Sequence, residues 1–428
     1  MRIEPFRMER MQSRFEHYVE YNLSESGVAP MTPGDLLGGG ARGARFIDIK
    51  LGYGQSNGSE LLRDRIAQFY GGATRDNILV TNGGSEANYA TCWSLLERGD
   101  RVAYMVPNYF QTWGLSRAYA GRADAFRLAR DRGARGARWA LDVDGLRRAV
   151  TKKTRFILVT NPNNPTGGVL NEAEMDEVVR AARRVGAWIV ADEIYRGAEL
   201  SGGVTPSFWG RYSRVLITSG LSKAFGLPGL RIGWVAGPPR LIERLWSYRD
   251  YTTIAPGTLS DHLACIAMEP QRREEIFART REIVRRNLPI LEDWIAGHGD
   301  LFDYTPPVAG AIVFPRYTLP IGSQALTEKL RLERSVLIVP GAQLGVDRHI
   351  RIGYGYDAAS LQAGLQRIDV TLEELQGRAA RAPGRPTARR TGGRAPASRS
   401  GSRGAAGRVG ARSSRARRGN ALSRPLPG

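Results

Sequence analysis

Between Phe46 and Trp246, short apolar runs alternate with amphipathic helical stretches, and no other feature of the chain limits its fold as strongly. The runs are Ile78–Thr81, Arg101–Val106, Arg155–Thr160, Trp188–Ala191, Val215–Thr218 and Ile232–Ala236. Helical periodicity fills several of the gaps, as in Glu86–Leu96 and Glu172–Val185. Strands that are apolar along their whole length are buried on both faces, and helical connections between them favour a parallel arrangement. The predicted fold class is therefore α/β, a mainly parallel sheet covered by helices. After Trp246 the pattern changes. A helical region with Arg/Glu pairs runs from about Arg272 to Trp294, and GAIVFPRY, SVLIVPG and HIRIGYG read as shorter strands of a smaller α+β domain. The expected organisation has four parts: an N-terminal segment, residues 1–44, packing with the small domain; a large ligand-binding domain, 45–285; the small domain, 286–376; and a tail, 377–428.

The tail accounts for most of the net charge. The chain carries a formal +20, and residues 377–428 hold fourteen arginines with no lysine and no acid, which leaves +6 on the rest. A segment of Gly, Ala, Ser, Pro and Arg buries too little apolar surface to offset its ordering entropy, so disorder is predicted. Its arginines would attract nucleic acid or another anionic surface. It has no aromatic residue for base stacking, however, and a solvated extension is the simpler expectation. No apolar run reaches the ~18 residues of a spanning helix, so no membrane partner is expected. The first residues lack the apolar centre of a secretory signal. The two cysteines, Cys92 and Cys265, belong to no motif, so no disulfide framework or cysteine metal site is expected, and the cytoplasm is the expected compartment.

Four stretches carry chemistry. In ILVTNGGSEANYATCWSLL a strand meets Gly83-Gly84-Ser85, and a helix opens near Glu86. Glycines let a ligand approach the backbone, and a helix start offers free N–H groups, which makes Gly84 and Ser85 candidates for binding a phosphate. The pattern is neither a Walker loop nor a dinucleotide fingerprint, and alone it equally suits a plain strand–helix turn. In LITSGLSKAFGLPGLRIGWVAG, Lys223 follows an apolar strand. The chain has five lysines against 57 arginines, so a lysine in this setting stands out. Partial desolvation would lower its pKa and suit it to amine nucleophilicity. Arg231, in the next tight turn, suits an anion. In WIVADEIYRG, Asp192 closes a buried strand, at the end where open α/β sheets bind ligands, and an acid there needs a partner. Tyr195 could reach the same ligand. In VTNPNNPTGG, Asn164 could present amide donors from a turn. A surface loop around Lys223 and a helix cap at Asp192 are the plainer alternatives.

Together NNPTG, DEIY, SGLSKAFG, GLRIGW and the late RIGYG, in that order, resemble the class I/II aminotransferases, pyridoxal-phosphate (PLP) enzymes of fold type I, over roughly residues 20–370. The resemblance implies that pyridoxal 5′-phosphate is the cofactor and that Lys223 is catalytic and carries it as a Schiff base. It implies that Asp192 partners the pyridinium nitrogen, that Asn164 and Tyr195 donate to the ring oxygen, and that Tyr109 stacks on the ring. Gly84, Ser85, Ser222 and Arg231 match the phosphate site. Tyr53, in LGYGQSNG, resembles the tyrosine that reaches the phosphate across a dimer interface, which implies a homodimer with shared sites. Arg351, in RIGYG, resembles the arginine that holds the substrate α-carboxylate, a role its planar fork suits. One departure is Gly220, where many members place a Ser or Thr on the phosphate; Ser219 and Ser222 are the candidates to compensate. No second arginine marks a preference for acidic amino acids.

The implied function is transfer of the amino group of an amino acid to a 2-oxo acid by a ping-pong mechanism. LSESGVAP, FGLPGLRIGW and RDYTTI are also similar to a branch that includes capreomycidine synthases, which cyclise their amino-acid substrate. Elimination or cyclisation is the alternative that this second likeness implies.

Overall fold

The apolar runs assemble into one eight-stranded sheet, and alternate side chains along its inner strands feed two different cores. After a short strand β1 (Tyr21–Asn22), the sheet contains β2 (Ile78–Thr81), β3 (Arg101–Val106), β4 (Arg122–Asp131), β5 (Arg138–Leu141), β6 (Thr154–Thr160), β7 (Trp188–Asp192), β8 (Val215–Gly220) and β9 (Gly233–Ala236). Its order is β2-β9-β8-β7-β6-β3-β4-β5. The run from β8 through β7, β6 and β3 to β4 is parallel; β9 is antiparallel to both its neighbours, and β5 is antiparallel to β4. Ala103, Met105, Ile157, Val159, Ile189 and Ala191 pack into one core with Met175 and Val178 of the helix Glu172–Val185. Val102, Tyr104, Phe156, Leu158, Val190 and Leu216 pack into the other, with Ala87 and Ala90 of the helix Gly84–Leu95. This two-residue alternation is what burial on both faces demands.

This computed structural model describes residues 3–133 and 136–381, all within one unit that ends at Arg381. All six predicted strands are present. The helix Glu172–Val185 begins where predicted because Asn171 and Glu174 cap each other, each side chain accepting the other's backbone N–H at 2.9 Å, and it stops at Gly186 in the left-handed region. Strands β4 and β5 escape the sequence pattern. In β4 only Phe126 and Leu128 are buried, with exposed Ala125, Arg127 and Ala129 around them, so its apolar signal is weak.

The C-terminal part has its own core, which includes Val313, Leu326, Ile338, Ile352 and Ile368. Its three-stranded antiparallel sheet places Ile350–Gly353 between Ile312–Val313 and Val339–Pro340. The helix Pro270–Gly297 serves both cores: Ile276 and Phe277 join the first, Val284 and Leu291 the second. It is continuous through residue 285, where the sequence suggests a boundary. The N-terminal segment also packs on both sides, and not only on the small one. β1 pairs in parallel with Val336–Leu337, and Leu23 and Val28 enter the small core, while Met8, Leu36 and Leu37 enter the large one. The last helix, Ala358–Arg381, continues past Gly377, and the rest of the expected tail lies outside the described residues. Among the described residues no helix is long and apolar enough to cross a membrane.

Candidate active site

The segments that leave the carboxyl ends of β2, β3, β6, β7 and β8 line a cavity of ≈ 340 Å³. Gly84, Ser85, Tyr109, Asn164, Asp192, Tyr195, Ser222, Lys223, Arg231 and Arg351 all face it. Of the residues singled out from sequence, Ser219 and Tyr53 do not line it, and Tyr53 is 94 % exposed, ahead of the helix Glu60–Ala67.

One corner is built for an anion. Gly83 has φ 81°, and a Cβ on it would meet Arg231 Nη2 at 2.5 Å, so the glycine lets this guanidinium lie against the start of the helix Gly84–Leu95. The first-turn amides of that helix have no intrahelical partner, and its dipole adds positive potential. Arg231 is itself in the left-handed region, at φ 52°, after the turn Pro228–Leu230. The structure also explains Gly220. A Cβ there would meet Ile232 O at 2.9 Å and Gly233 Cα at 3.0 Å, so no hydroxyl side chain fits. Of the two serines that could compensate, Ser219 donates to Glu193 O at 3.3 Å and does not line the cavity, whereas Ser222 does.

Asp192, the last residue of β7, accepts the Ile194 N–H at 3.1 Å. Burial pushes its carboxyl up to about 6. Among the described residues no cation pairs with it, so it is suited to a ligand group that carries a proton. Asn164 accepts from Arg351 Nη1 at 3.0 Å through Oδ1, which leaves its NH₂ as a donor for a ligand. Tyr195 is buried, and burial raises its hydroxyl pKa, so it remains a neutral donor. Arg351 is 1 % exposed, on the central strand of the small sheet; Nη2 donates to Ser24 O, and Nε has no partner. Thr218 Oγ1 and Asn88 Oδ1, on residues that line the same cavity, are also buried without partners.

Lys223 corrects one expectation. Burial does work against its charge, but Glu25, with Oε2 3.5 Å from Nζ, and then Tyr195 outweigh burial, and the pKa is raised instead of lowered. Lys223 in turn lowers the carboxyl of Glu25. Tyr109 donates to Glu9 Oε1 at 2.9 Å. Neither glutamate stands out in the sequence, nor do Gln12 and Glu16, which also line the cavity. Their only local signal is helical: residues 9, 12 and 16 fall on one face of the helix Arg7–Phe15 and its end.

The donor set suits pyridoxal phosphate. It offers an anion corner, an acid without a counter-ion for a ring nitrogen, an amide and a hydroxyl for a ring oxygen, and an amine for the aldehyde. The family described as aminotransferase class I and II matches residues 49–368. Capreomycidine synthase of Streptomyces vinaceus is 31 % identical over 359 residues, 82 % of this chain and 89 % of its own. Among solved structures, a PLP-dependent aminotransferase from Streptococcus suis aligns with a TM-score of 0.80 at 30 % identity, covering 88 % of this chain and 99 % of its own. A PLP-dependent cyclase aligns with a TM-score of 0.78 at 29 % identity, covering 87 % and 98 %. Pyridoxal phosphate is the cofactor of this scaffold. With that fold and that site, the chain belongs to the aminotransferase class I and II family and is a PLP-dependent enzyme of fold type I.

Proposed function

We propose that the chain moves the amino group of an amino acid to a 2-oxo acid in two half-reactions that share this cavity. The observation that carries the reading is the meeting of Lys223, an unpaired Asp192 and Arg351 with a free Nε in one cavity. Gly84, Ser85, Ser222 and Arg231 would hold the cofactor phosphate, Asp192 its ring nitrogen, and Asn164 and Tyr195 its ring oxygen, with Tyr109 against the ring. The bound cofactor supplies an electron sink for the charge left at Cα. Lys223 Nζ would take the α-proton and, once protonated, deliver it to the cofactor carbon that had carried the aldehyde. Asp192 accepts from the ring N–H and keeps that proton in place. Arg351 binds the α-carboxylate and orients the amino acid. Incubating the holoenzyme with a panel of amino acids, while following cofactor absorbance and keto-acid release, tests this. Release of a keto acid as the cofactor band is lost is expected; loss of the band without keto acid rejects amino transfer.

A second reading, elimination or cyclisation on the same scaffold, is favoured by Glu25. Amino transfer needs one acid–base group, which Lys223 provides. A carboxylate 3.5 Å from that amine suits a reaction that also moves a proton on the substrate side chain. The likeness to a capreomycidine synthase supports the same reading. An altered amino acid released without any keto acid would favour it.

Arg351→Lys is expected to weaken amino-acid binding by about 2 kcal/mol, roughly thirtyfold, because a point charge replaces a bidentate fork. Titration of the holoenzyme checks this. A variant that loses cofactor but keeps its substrate affinity would move Arg351 to the cofactor site.

The reading includes a homodimer in which each site borrows Tyr53 from the other chain. Tyr53 is exposed together with the nearby Ile47 and Leu51, an apolar stretch that a second copy could cover. Mixing Lys223→Ala chains with Tyr53→Phe chains, each inactive alone, then yields heterodimers with one intact site, and activity should return. No recovery in verified heterodimers means that Tyr53 does not act across chains.

A further inference from the structure

Glu86 sits beside the anion corner without facing it. It is the third residue of the helix Gly84–Leu95, directly after Gly84 and Ser85, and it is not among the residues that line the cavity. A carboxylate in a first turn suits the helix dipole, but next to a bound phosphate it is a like charge, so it does not serve to attract the ligand. Its contacts point to another task.

The turn before the helix holds two adjacent glycines, Gly83 and Gly84, with Gly83 at φ 81°. Glycine opens the approach to a ligand but also gives the backbone its greatest freedom, so the amides have to be held in place from outside the turn. Glu86 does this. Its Oε2 accepts the Asn82 N–H at 2.5 Å, reaching back over the turn as the acid of a capping box does. Its Oε1 accepts the hydroxyls of Thr252 and Thr253 at 2.6 and 2.7 Å. Both threonines are exposed, in the loop after the helix Pro239–Arg249. The same loop contains Ile254 at φ 62°, a left-handed conformation that a β-branched residue rarely adopts and that persists only where its surroundings fix it. Arg249 completes the arrangement. Its side chain is fully buried, Nη1 donates to Ser56 O and Val80 O, and Nε lies 3.6 Å from Glu86 Oε2. A buried guanidinium needs a counter-ion, and by pairing with Glu86 it offsets the repulsion that a phosphate would meet. Val80 belongs to β2, which leads into the turn, so Glu86 is tied to strand, turn and loop together.

We propose that Glu86 is a positioning residue for the cofactor phosphate: it fixes the amides of Gly84 and Ser85 where the phosphate meets them, and Arg249, Thr252 and Thr253 fix Glu86. The proposal rests on the placement of the phosphate at Gly84, Ser85, Ser222 and Arg231 given above. A displaced turn weakens the hold on the phosphate and leaves the contacts of Asp192, Asn164 and Tyr195 with the ring as they are.

The test compares pyridoxal phosphate with pyridoxal, which lacks the phosphate, in titrations of the full-length, cofactor-free protein followed by cofactor absorbance. Glu86→Gln keeps the size but loses the charge and one acceptor oxygen. Its affinity for pyridoxal phosphate should fall roughly tenfold, the value of one charge-assisted hydrogen bond, while its affinity for pyridoxal stays that of the unaltered protein. Thr252→Ala/Thr253→Ala changes exposed residues only, and should give the same selective loss at roughly threefold; it decides the matter if the glutamine variant does not fold. An equal loss for both ligands reduces Glu86 to a support of the fold and overturns the proposal. Tighter binding of pyridoxal phosphate by Glu86→Gln, the result of simply removing a like charge, overturns it too. Arg231→Ala reports on the premise and should abolish most of the preference for the phosphorylated ligand. A preference unchanged in Arg231→Ala means that the phosphate is held elsewhere, and the proposed site fails. A preference lost there but unchanged in the Glu86 and threonine variants means that the site stands and the positioning role does not.

Discussion

Lys223→Ala is expected to lower turnover by about 10⁴-fold, the upper range for losing a group that serves as both nucleophile and acid–base. The fold should survive, because Lys223 is a cavity residue whose one ion pair is with half-buried Glu25. A second readout needs no variant. Borohydride reduction of the native holoenzyme should fix the cofactor to Lys223, and peptide mapping would reveal it. The other four lysines are Lys50, Lys152, Lys153 and Lys329, and none of them lines the cavity. Lys329 is engaged by Glu333 and Glu374. A label on any of the four, or near-native turnover in the alanine variant, would falsify the assignment of Lys223.

Asp192→Asn is expected to cost about 100-fold in turnover, close to 3 kcal/mol of transition-state stabilisation, while the variant still binds cofactor. Asparagine keeps the shape and can still accept the Ile194 N–H, but it carries no charge to hold a proton on the ring nitrogen. Near-native turnover would remove Asp192 from that role. A pH experiment on cofactor-free protein gives an independent check. The folded pKa of Asp192 is raised to about 6 from an ordinary 3.8, so its protonated form favours the folded state. That contribution is fully present below the unfolded value and is lost as pH rises through about 6. The variant should lack this part of the decline in melting temperature. The neighbouring Glu193, pushed up to about 7 by burial, keeps its own share in both proteins.

The cavity floor was legible in the sequence because each of its residues sits beside a strand end, where chain direction alone decides what faces the ligand. Asp192 closes β7, Lys223 follows β8, and Gly84 follows β2 after a turn, so an apolar run and a few neighbouring residues locate each of them. The wall was not legible. Glu9 and Glu16 belong to a helix whose charged sequence reads as a solvated surface, and their approach to Lys223 depends on distant contacts. One is the pairing of β1 with Val336–Leu337; another is the bond between Arg351 and Ser24, 327 positions apart. No local pattern encodes such a separation. The same reasoning covers Lys223, whose raised pKa needs Glu25, 198 positions away. Desolvation was the only effect visible from its own stretch of chain.

The division between floor and wall bears on how such an enzyme can change its diet. The residues proposed to run the chemistry are spread over strand ends from Gly84 to Arg231, with Arg351 beyond them, while the acidic wall comes from a single stretch between Met8 and Ser26. Mutations in that stretch can alter what enters without disturbing the strand ends that hold the cofactor. A lineage could therefore explore new amino acids through one short cassette, and exchanging residues 7–26 between related chains is the natural way to retrace or redirect that exploration in the laboratory.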